Sequence, residues 1–329
     1  MTSDGGKYLK AVIYRRCGGP DVLELADVPD PVPGPDQVLI AVDYVSIEGG
    51  DLLHRRSTPL TAEYNIPGYQ AMGRVLQTGR KVQSLSVGER VLAFHWSGSH
   101  AEKWCVEAQH VFPLPQGIDP AMASTVATTF GTASDALFEF GHLKAGETVF
   151  VQGGAGGVGL ALIQLAARAG ARVIASASGA ERAARLLDFG ADHVIDHRAP
   201  GFSAEVLALT GGRGCDMVCD LAGGATVPEL MKCIRYRGRY IVVGSASGER
   251  ASFGFNDLVR KALTCQGVLF GAEMGTARGR AVVRGLLADM AAGHLRMPVD
   301  RIFPLDQAAQ AHEYAETAHP FGRVLLQVT

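Results

Sequence analysis

Five glycines fall within seven positions of the stretch Thr148 to Leu160, TVFVQGGAGGVGL. Gly154, Gly156 and Gly159 match the spacing G-x-G-x-x-G. In that pattern the first glycine permits a tight turn, the second lets the backbone approach a pyrophosphate, and the third lets a helix pack closely on a strand. Ala155, Gly157 and Val158 fill the turn and open the helix, whose first N–H groups and positive dipole end suit phosphates. The chemistry this predicts is the holding of a dinucleotide.

Such a turn works only between a strand and a helix. Val149, Phe150 and Val151 supply the strand, an alanine-rich apolar segment runs from Val158 to Ala169, and Arg172–Ala175 is the next strand. The alternation continues through ERAARLLDFG, HVIDHR, FSAEVLALTG, DMVCDLAG, VPELMKCIR and RYIVVGS, with LTCQGVLFG (263–271) as the last strand. Continuous apolar strands joined by amphipathic helices predict a doubly wound parallel sheet covered on both faces. Upstream, residues 8–106 alternate short strand-like runs with Gly and Pro turns, and Val38–Val45 alternates apolar and polar residues as a half-buried strand does. That pattern predicts a compact, barrel-like β domain. A helical pattern takes over at Ala121 and carries ATTFGTASDALFEFGHL. After the last strand come a helix over 277–292, the short segment RIFPLD, the helix QAAQAHEYAE and a terminal strand RVLLQV. The expected fold class is α/β, with one domain over 1–122, a second over 123–271, and a closing segment over 272–329.

Composition narrows the function classes. A net charge of −2 offers no broad attraction for nucleic acid or an anionic membrane, and no apolar run approaches a bilayer span. The N-terminus MTSDGGKYLK lacks a hydrophobic segment, so a cytoplasmic protein is expected. Six cysteines are scattered without a C-x-x-C pair, which reads as free thiols in a reducing compartment.

Taken together, CGGPDVLEL, VGERV (87–91), GGAGGVGLALIQLAARAGARVIA, GADHVID (190–196), CDLAGG (219–224) and PLDQAAQAHEYAE followed by FGRVLL resemble the medium-chain dehydrogenase/reductases. Within that superfamily the chain is similar to the zinc-free quinone oxidoreductases of the zeta-crystallin type. The resemblance implies a GroES-like β-barrel domain, completed by the C-terminal segment, with a Rossmann domain inserted and an active site in the cleft between them. It also implies a homodimer joined through cofactor-domain sheet edges, for which LTCQGVLFG is the expected edge.

Zinc members of the superfamily use a cysteine after an early strand, a histidine in G-H-E, and a third Cys or Asp. Here the corresponding stretches read VSIEGGDLLHRR, Gly68-Tyr69-Gln70 and FGTASDAL, and the four-cysteine structural loop is absent. Neither Ser46 nor Tyr69 suits tetrahedral zinc; no metal is expected.

NAD enzymes place an acid at the end of the second strand of the unit. That position holds Ala177, flanked by Ser176 and Ser178, which with Arg182 in the following helix are expected to face the cofactor. A missing carboxylate and an available guanidinium favour a 2′-phosphate, so NADPH is the expected cofactor. His197 stands where relatives often have a tyrosine. Thr132 and Arg323 match family positions at the nicotinamide end, and Gly244, Ser245, Phe270 and Gly271 are expected at strand ends that deliver backbone groups.

Without metal or an evident nucleophile, the expected reaction is hydride transfer from NADPH to a quinone or related activated carbonyl. Relatives with D-x-Y-x-R carry a tyrosine where this chain has Leu53. Tyr69, Tyr44 and Tyr64 remain as proton donors, Tyr69 foremost because it takes the zinc-histidine position, and Glu48 is a candidate for orienting substrate. Two alternatives stand beside this reading: an ene-reductase for an enoyl thioester or biosynthetic enone, and a non-catalytic, crystallin-like NADPH-binding protein.

Overall fold

The computed structural model describes residues 8–250 and 252–328. The chain divides into two compact units, Met1–Thr128 with Gly271–Thr329, and Thr129–Phe270.

Unit 1 opens with β1 (Tyr8–Ile13) paired antiparallel with β2 (Glu24–Pro29). Next come β3 (Gln37–Ser46), α1 (Gly49–Ser57), β4 (Gln70–Thr78), β5 (Arg90–Phe94), β6 (Lys103–Glu107), β7 (Val111–Pro113) and a short α2 (Pro120–Ala123). Along β3 every second residue from Val38 to Val42 is buried, as its alternation predicts, until irregularities in pairing with β4 disturb the rhythm near Tyr44. Core residues of β3, β4, β5 and β6 meet Leu305, Ala308, Ala311, Val324 and Leu326 from the C-terminal segment. One seven-stranded sheet therefore spans both ends of the chain, with β6 joining alongside on β3.

Unit 2 begins with α3 (Gly131–Ser134), set between two five-residue π-helical turns, Val126–Phe130 and Asp135–Glu139. The long helix expected from Ala121 is thus broken into wider turns, a form that recurs beside functional sites. There follow β8 (Thr148–Gln152), α4 (Gly157–Arg168), β9 (Arg172–Ser176), α5 (Ala180–Leu187), β10 (His193–Ile195), α6 (Phe202–Leu209), β11 (Cys215–Asp220), α7 (Val227–Cys233), β12 (Ile234–Val242), α8 (Phe255–Lys261) and β13 (Thr264–Gly267). All six strands are parallel, in the order β10-β9-β8-β11-β12-β13. β8 and β11 are buried at every position, which accounts for the apolar runs Val149–Val151 and Met217–Cys219 at their centres. The last strand is shorter than expected: it stops at Gly267, and α9 (Phe270–Glu273) is a helical turn.

Unit 1 is then completed by α10 (Ala277–Ala291), β14 (Val299–Pro304), α11 (Ala308–Thr317) and β15 (Arg323–Gln327). RIFPLD contributes to β14, which runs parallel to β15. The fold is the expected one: a GroES-like β unit and a Rossmann-like parallel-sheet unit. No helix among the described residues is long and apolar enough to cross a membrane.

Candidate active site

Because the six strands of unit 2 are parallel, their carboxyl ends share one sheet edge, where ligands of such sheets bind. After β8, the chain turns on Gly153, at φ 81°, a left-handed conformation that favours glycine. The turn is pinned from β9: Gly153 N–H donates to Ser176 Oγ (3.0 Å), Gly154 N–H to Ser176 O (2.8 Å), and Ser176 Oγ donates to Gln152 Oε1 (2.7 Å). Ser176, expected to face the cofactor, is fully buried and holds the turn in shape instead.

The other glycines have separable reasons. A Cβ on Gly159 would lie 2.3 Å from Gly153 O, and one on Gly154 would lie 2.9 Å from Leu186 Cδ1, so both keep helix, turn and strand in contact. Gly156 differs. Its backbone (φ −76°, ψ 166°) is open to any residue, and an added Cβ would meet only Gly153 O at 3.8 Å. Nothing within the fold demands glycine there. Gly156 caps α4, and the following residues Gly157 and Val158 carry no side-chain cap and no acid in the first turn. The N–H groups that begin a helix are therefore left for an anion.

At the ends of β9 and β10 three predicted residues come together. Arg182 Nε donates to Ser178 O (2.8 Å), and its Nη2 donates to Ser178 Oγ. His197 lies within electrostatic reach of Arg182, and burial first, then the Arg198 and Arg182 charges, hold its imidazole below the usual range. His197 Nδ1 is buried without a hydrogen-bond partner among the described residues. Ala177, also buried, brings no carboxylate of its own after β9, and the Asp196 carboxylate beside His197 is paired with Arg198 at 2.8 Å. Gly244 and Ser245 follow β12 at the same edge, with Gly244 N–H on Asp220 O (3.2 Å). Thr132 is half-buried on α3. Phe270 is not at a strand end: its side chain is buried against Gly131, and Gly271 belongs to unit 1, where a Cβ would strike Trp96 and Phe94.

Unit 1 gathers a second group from three distant stretches. Ser46 Oγ (2.9 Å) and Gln70 Nε2 (2.7 Å) donate to Glu48 Oε1, and Arg323 pairs with the same oxygen at 2.5 Å. Arg323 Nε also donates to Ser46 Oγ (3.1 Å), and Nη2 to Ile47 O. Gln70 Oε1 accepts from Thr128 N–H (2.8 Å). Glu48 is 3% exposed, so the candidate substrate-orienting carboxylate is a buried structural partner. Arg323, expected on the cofactor, is joined to it. A guanidinium is bonded to Ser46 and Glu48, and no group of three or more His, Cys, Asp or Glu side chains among the described residues is placed to hold a metal.

Asp51 lies beneath this cluster, accepting from Glu48 N–H (2.7 Å), and burial raises its pKa to about 8. Tyr69 follows Gly68 in chain, its ring edge-on to His54 (5.4 Å), Trp96 (5.9 Å) and Phe94 (6.4 Å). Its hydroxyl forms no hydrogen bond with a described residue, and burial, then the Asp51 and Glu48 charges, push its pKa up, so it stays protonated. Tyr44 is not brought to Tyr69 by this structure; it stands on β3 opposite Met72 and Gln327. Tyr64 lies under the Arg15 guanidinium.

Behind Gly68 runs a buried chain that sequence reading missed. Arg55 Nη1 donates to His312 Nδ1 (2.7 Å), and His312 Nε2 meets His100 Nε2 at 3.0 Å. Arginine only donates. His312 therefore carries its proton on Nε2, and His100 carries its own on Nδ1. A Cβ on Gly68 would come 2.3 Å from that atom, so the chain braces the segment that presents Tyr69 and Gln70. His312 lies 212 residues from His100, a separation no local pattern reveals.

The chain matches two families: the alcohol dehydrogenase GroES-like domain over residues 34–116, and the zinc-binding dehydrogenases over residues 157–292. It is 30% identical over 317 residues to the quinone oxidoreductase of Sus scrofa, covering 94% of each chain. It is 31% identical over 324 residues to phthioceranic/hydroxyphthioceranic acid synthase of Mycobacterium tuberculosis, covering 95% of this chain and 15% of that one. Among solved structures, mycobacterial Rv1454c complexed with NADPH superposes with a TM-score of 0.92 at 28% identity, over 97% of this chain and all of that one. The chain belongs to the quinone oxidoreductase-like family of the medium-chain dehydrogenase/reductases.

Proposed function

We propose that the protein is a zinc-independent, NADPH-dependent oxidoreductase that reduces a quinone or a related activated carbonyl in the cytoplasm. The observation that carries this reading is the carboxyl edge of the parallel sheet, with a glycine at 156 that nothing in the fold requires, an uncapped helix start, and a Ser178–Arg182–His197 group whose one neighbouring acid, Asp196, is taken up by Arg198. These residues fit NADPH: the turn at Gly154–Val158 takes the pyrophosphate, and Arg182 and Ser178 take the 2′-phosphate, with His197 Nδ1 as a further donor. Thr132, Gly244 and Ser245 bound the nicotinamide end, and Ser176 acts by shaping the turn. NADPH supplies the hydride when bound. The protein's part is to bind and orient; Arg323, held by Glu48, fixes the Ser46–Gln70 floor. The quinone oxidoreductase relative and the NADPH-bound Rv1454c support the same assignment.

One observation favours a second reading, reduction of an enone. The Tyr69 hydroxyl has no hydrogen-bond partner among the described residues, which leaves its proton available to a carbanion. The similarity to phthioceranic/hydroxyphthioceranic acid synthase is consistent with it. We further propose a homodimer paired along β13, an edge strand followed by exposed Leu269 and preceded on α8 by exposed Phe255 and Val259.

The test is NADPH consumption, after exhaustive chelation, with 1,4-benzoquinone, 9,10-phenanthrenequinone, an aliphatic enone and crotonyl-CoA. Quinone turnover that survives chelation is expected. Preference for the enone or thioester, reduced in Tyr69→Phe, transfers the assignment to the second reading. Tight NADPH binding without turnover leaves a binding role, and activity lost to chelator and restored by zinc overturns the metal argument.

A further inference from the structure

We propose that unit 1 carries a second anion site, for a small phosphate monoester, between α10 and the strand β7. A cavity of about 250 Å³ opens there, lined by Ser84, Leu85, Gln109, Val111, Arg280 and Arg284 among others. Arg280 and Arg284 stand four residues apart, so both guanidinium stems leave the same face of α10. Neither forms an ion pair or a hydrogen bond with another described residue, and Arg280 Nε is buried with no acceptor. Arg278, two residues earlier, shows the ordinary arrangement: it pairs with Glu273 at 3.3 Å. The nearby carboxylate of Glu107 is flanked instead by His95 (3.8 Å) and His110 (3.9 Å).

Two like charges one turn apart repel, and a buried N–H without an acceptor is costly. A single oxyanion relieves both. The guanidinium fork matches phosphate oxygens, and the Ser84 hydroxyl and Gln109 amide at the rim add donors. Leu85 and Val111, both buried, form an apolar floor for a few carbon atoms of the ester. No residue of this site belongs to the glycine turn or to the Ser178–Arg182–His197 group.

Calorimetric titration with phenyl phosphate and inorganic phosphate, at constant ionic strength and with NADPH saturating, tests the site. One-to-one binding is expected in the wild type and undiminished in Arg182→Ala. It should weaken about tenfold or more in Arg280→Ala and in the Arg280→Ala/Arg284→Ala double variant, with Arg280→Lys between, because lysine keeps the charge but loses the fork. Unchanged circular dichroism and melting confirm that these variants are folded. Absence of saturable binding in the wild type overturns the proposal, as does binding undiminished in the double variant or binding lost in Arg182→Ala. The titration repeated without NADPH should retain the Arg280-dependent component at the same affinity even where the cofactor assignment itself fails, since the two sites share no residue.

Discussion

The glycine turn after β8 and the Ser46–Glu48–Gln70–Arg323 cluster both bury polar groups, and they do so by opposite means. The turn is made of backbone. Its donors are satisfied by one neighbouring strand through Ser176, its glycines remove side chains, and the N–H groups of the helix start stay available. The cluster is made of side chains from three stretches, and Ser46, Gln70 and Arg323 all converge on one carboxylate oxygen. Bringing charge to a site by backbone leaves room for an anionic ligand. Neutralising charge by side chains instead makes a rigid, occupied floor. The first arrangement should respond to mutation in binding, the second in stability.

The largest expected effect comes from breaking the cluster. Arg323→Met leaves Glu48 buried and uncompensated and should cost about 3–5 kcal/mol in urea unfolding, with Glu48→Gln in the same chain restoring much of it. A loss that the second substitution leaves untouched would mean the pair is not what holds the floor. At the turn, Gly159→Ala pushes a methyl against Gly153 O and should cost about 1–3 kcal/mol. The same change should weaken NADPH binding by more than its stability cost implies; fluorescence titration checks this. Arg182→Ala should leave stability alone and reduce the preference for NADPH over NADH by about 1.5–3 kcal/mol, read from the two dissociation constants. Equal loss for both cofactors would remove Arg182 from the 2′-phosphate.

The smallest effect is in pH. Burial holds His100 near about 3 and His312 well below its usual 6.5, so their contribution to stability is full above pH 6.5 and is lost on acidification. Asp51 has the opposite sign: raised from 3.8 to about 8, it stabilises at low pH and loses that contribution as pH rises toward 8. Stability should peak near pH 6.5, with slopes of at most about 1.4 kcal/mol per pH unit per group. Asp51→Asn should flatten the alkaline side and steepen the acid side in denaturation series at pH 5.5, 6.5 and 8. A slope unchanged by that substitution would assign it to another group.

The same contrast decides what is legible in the sequence. The turn is legible because its strand, glycines and helix are contiguous and each has a local physical reason. Even there, Gly153, which takes the left-handed conformation, and the Ser176–Gln152 tie lie outside the glycine spacing. The cluster is legible only as names. Ser46, Glu48, Tyr69 and Arg323 stand out one by one, but that Arg323 consumes Glu48 depends on β15 lying beside β3. Asp51 and the Arg55–His312–His100 chain give no periodic or spacing signal. Phe270 is misleading for a related reason: apolar residues after Gly267 serve a packed helical turn as well as a strand, and burial against Gly131 decides between them.

The ring stack around Tyr69 has an optical consequence. The chain has two tryptophans. Trp104 is buried with its indole N–H on Ser97 O (3.0 Å), whereas Trp96 is 41% exposed and edge-on to Tyr69 and Phe94. The two indoles should therefore emit at different wavelengths. The red-shifted, quencher-accessible component reports on the neighbourhood of Tyr69, and the blue-shifted one on the barrel wall. The protein carries its own probe for whatever settles beside that tyrosine.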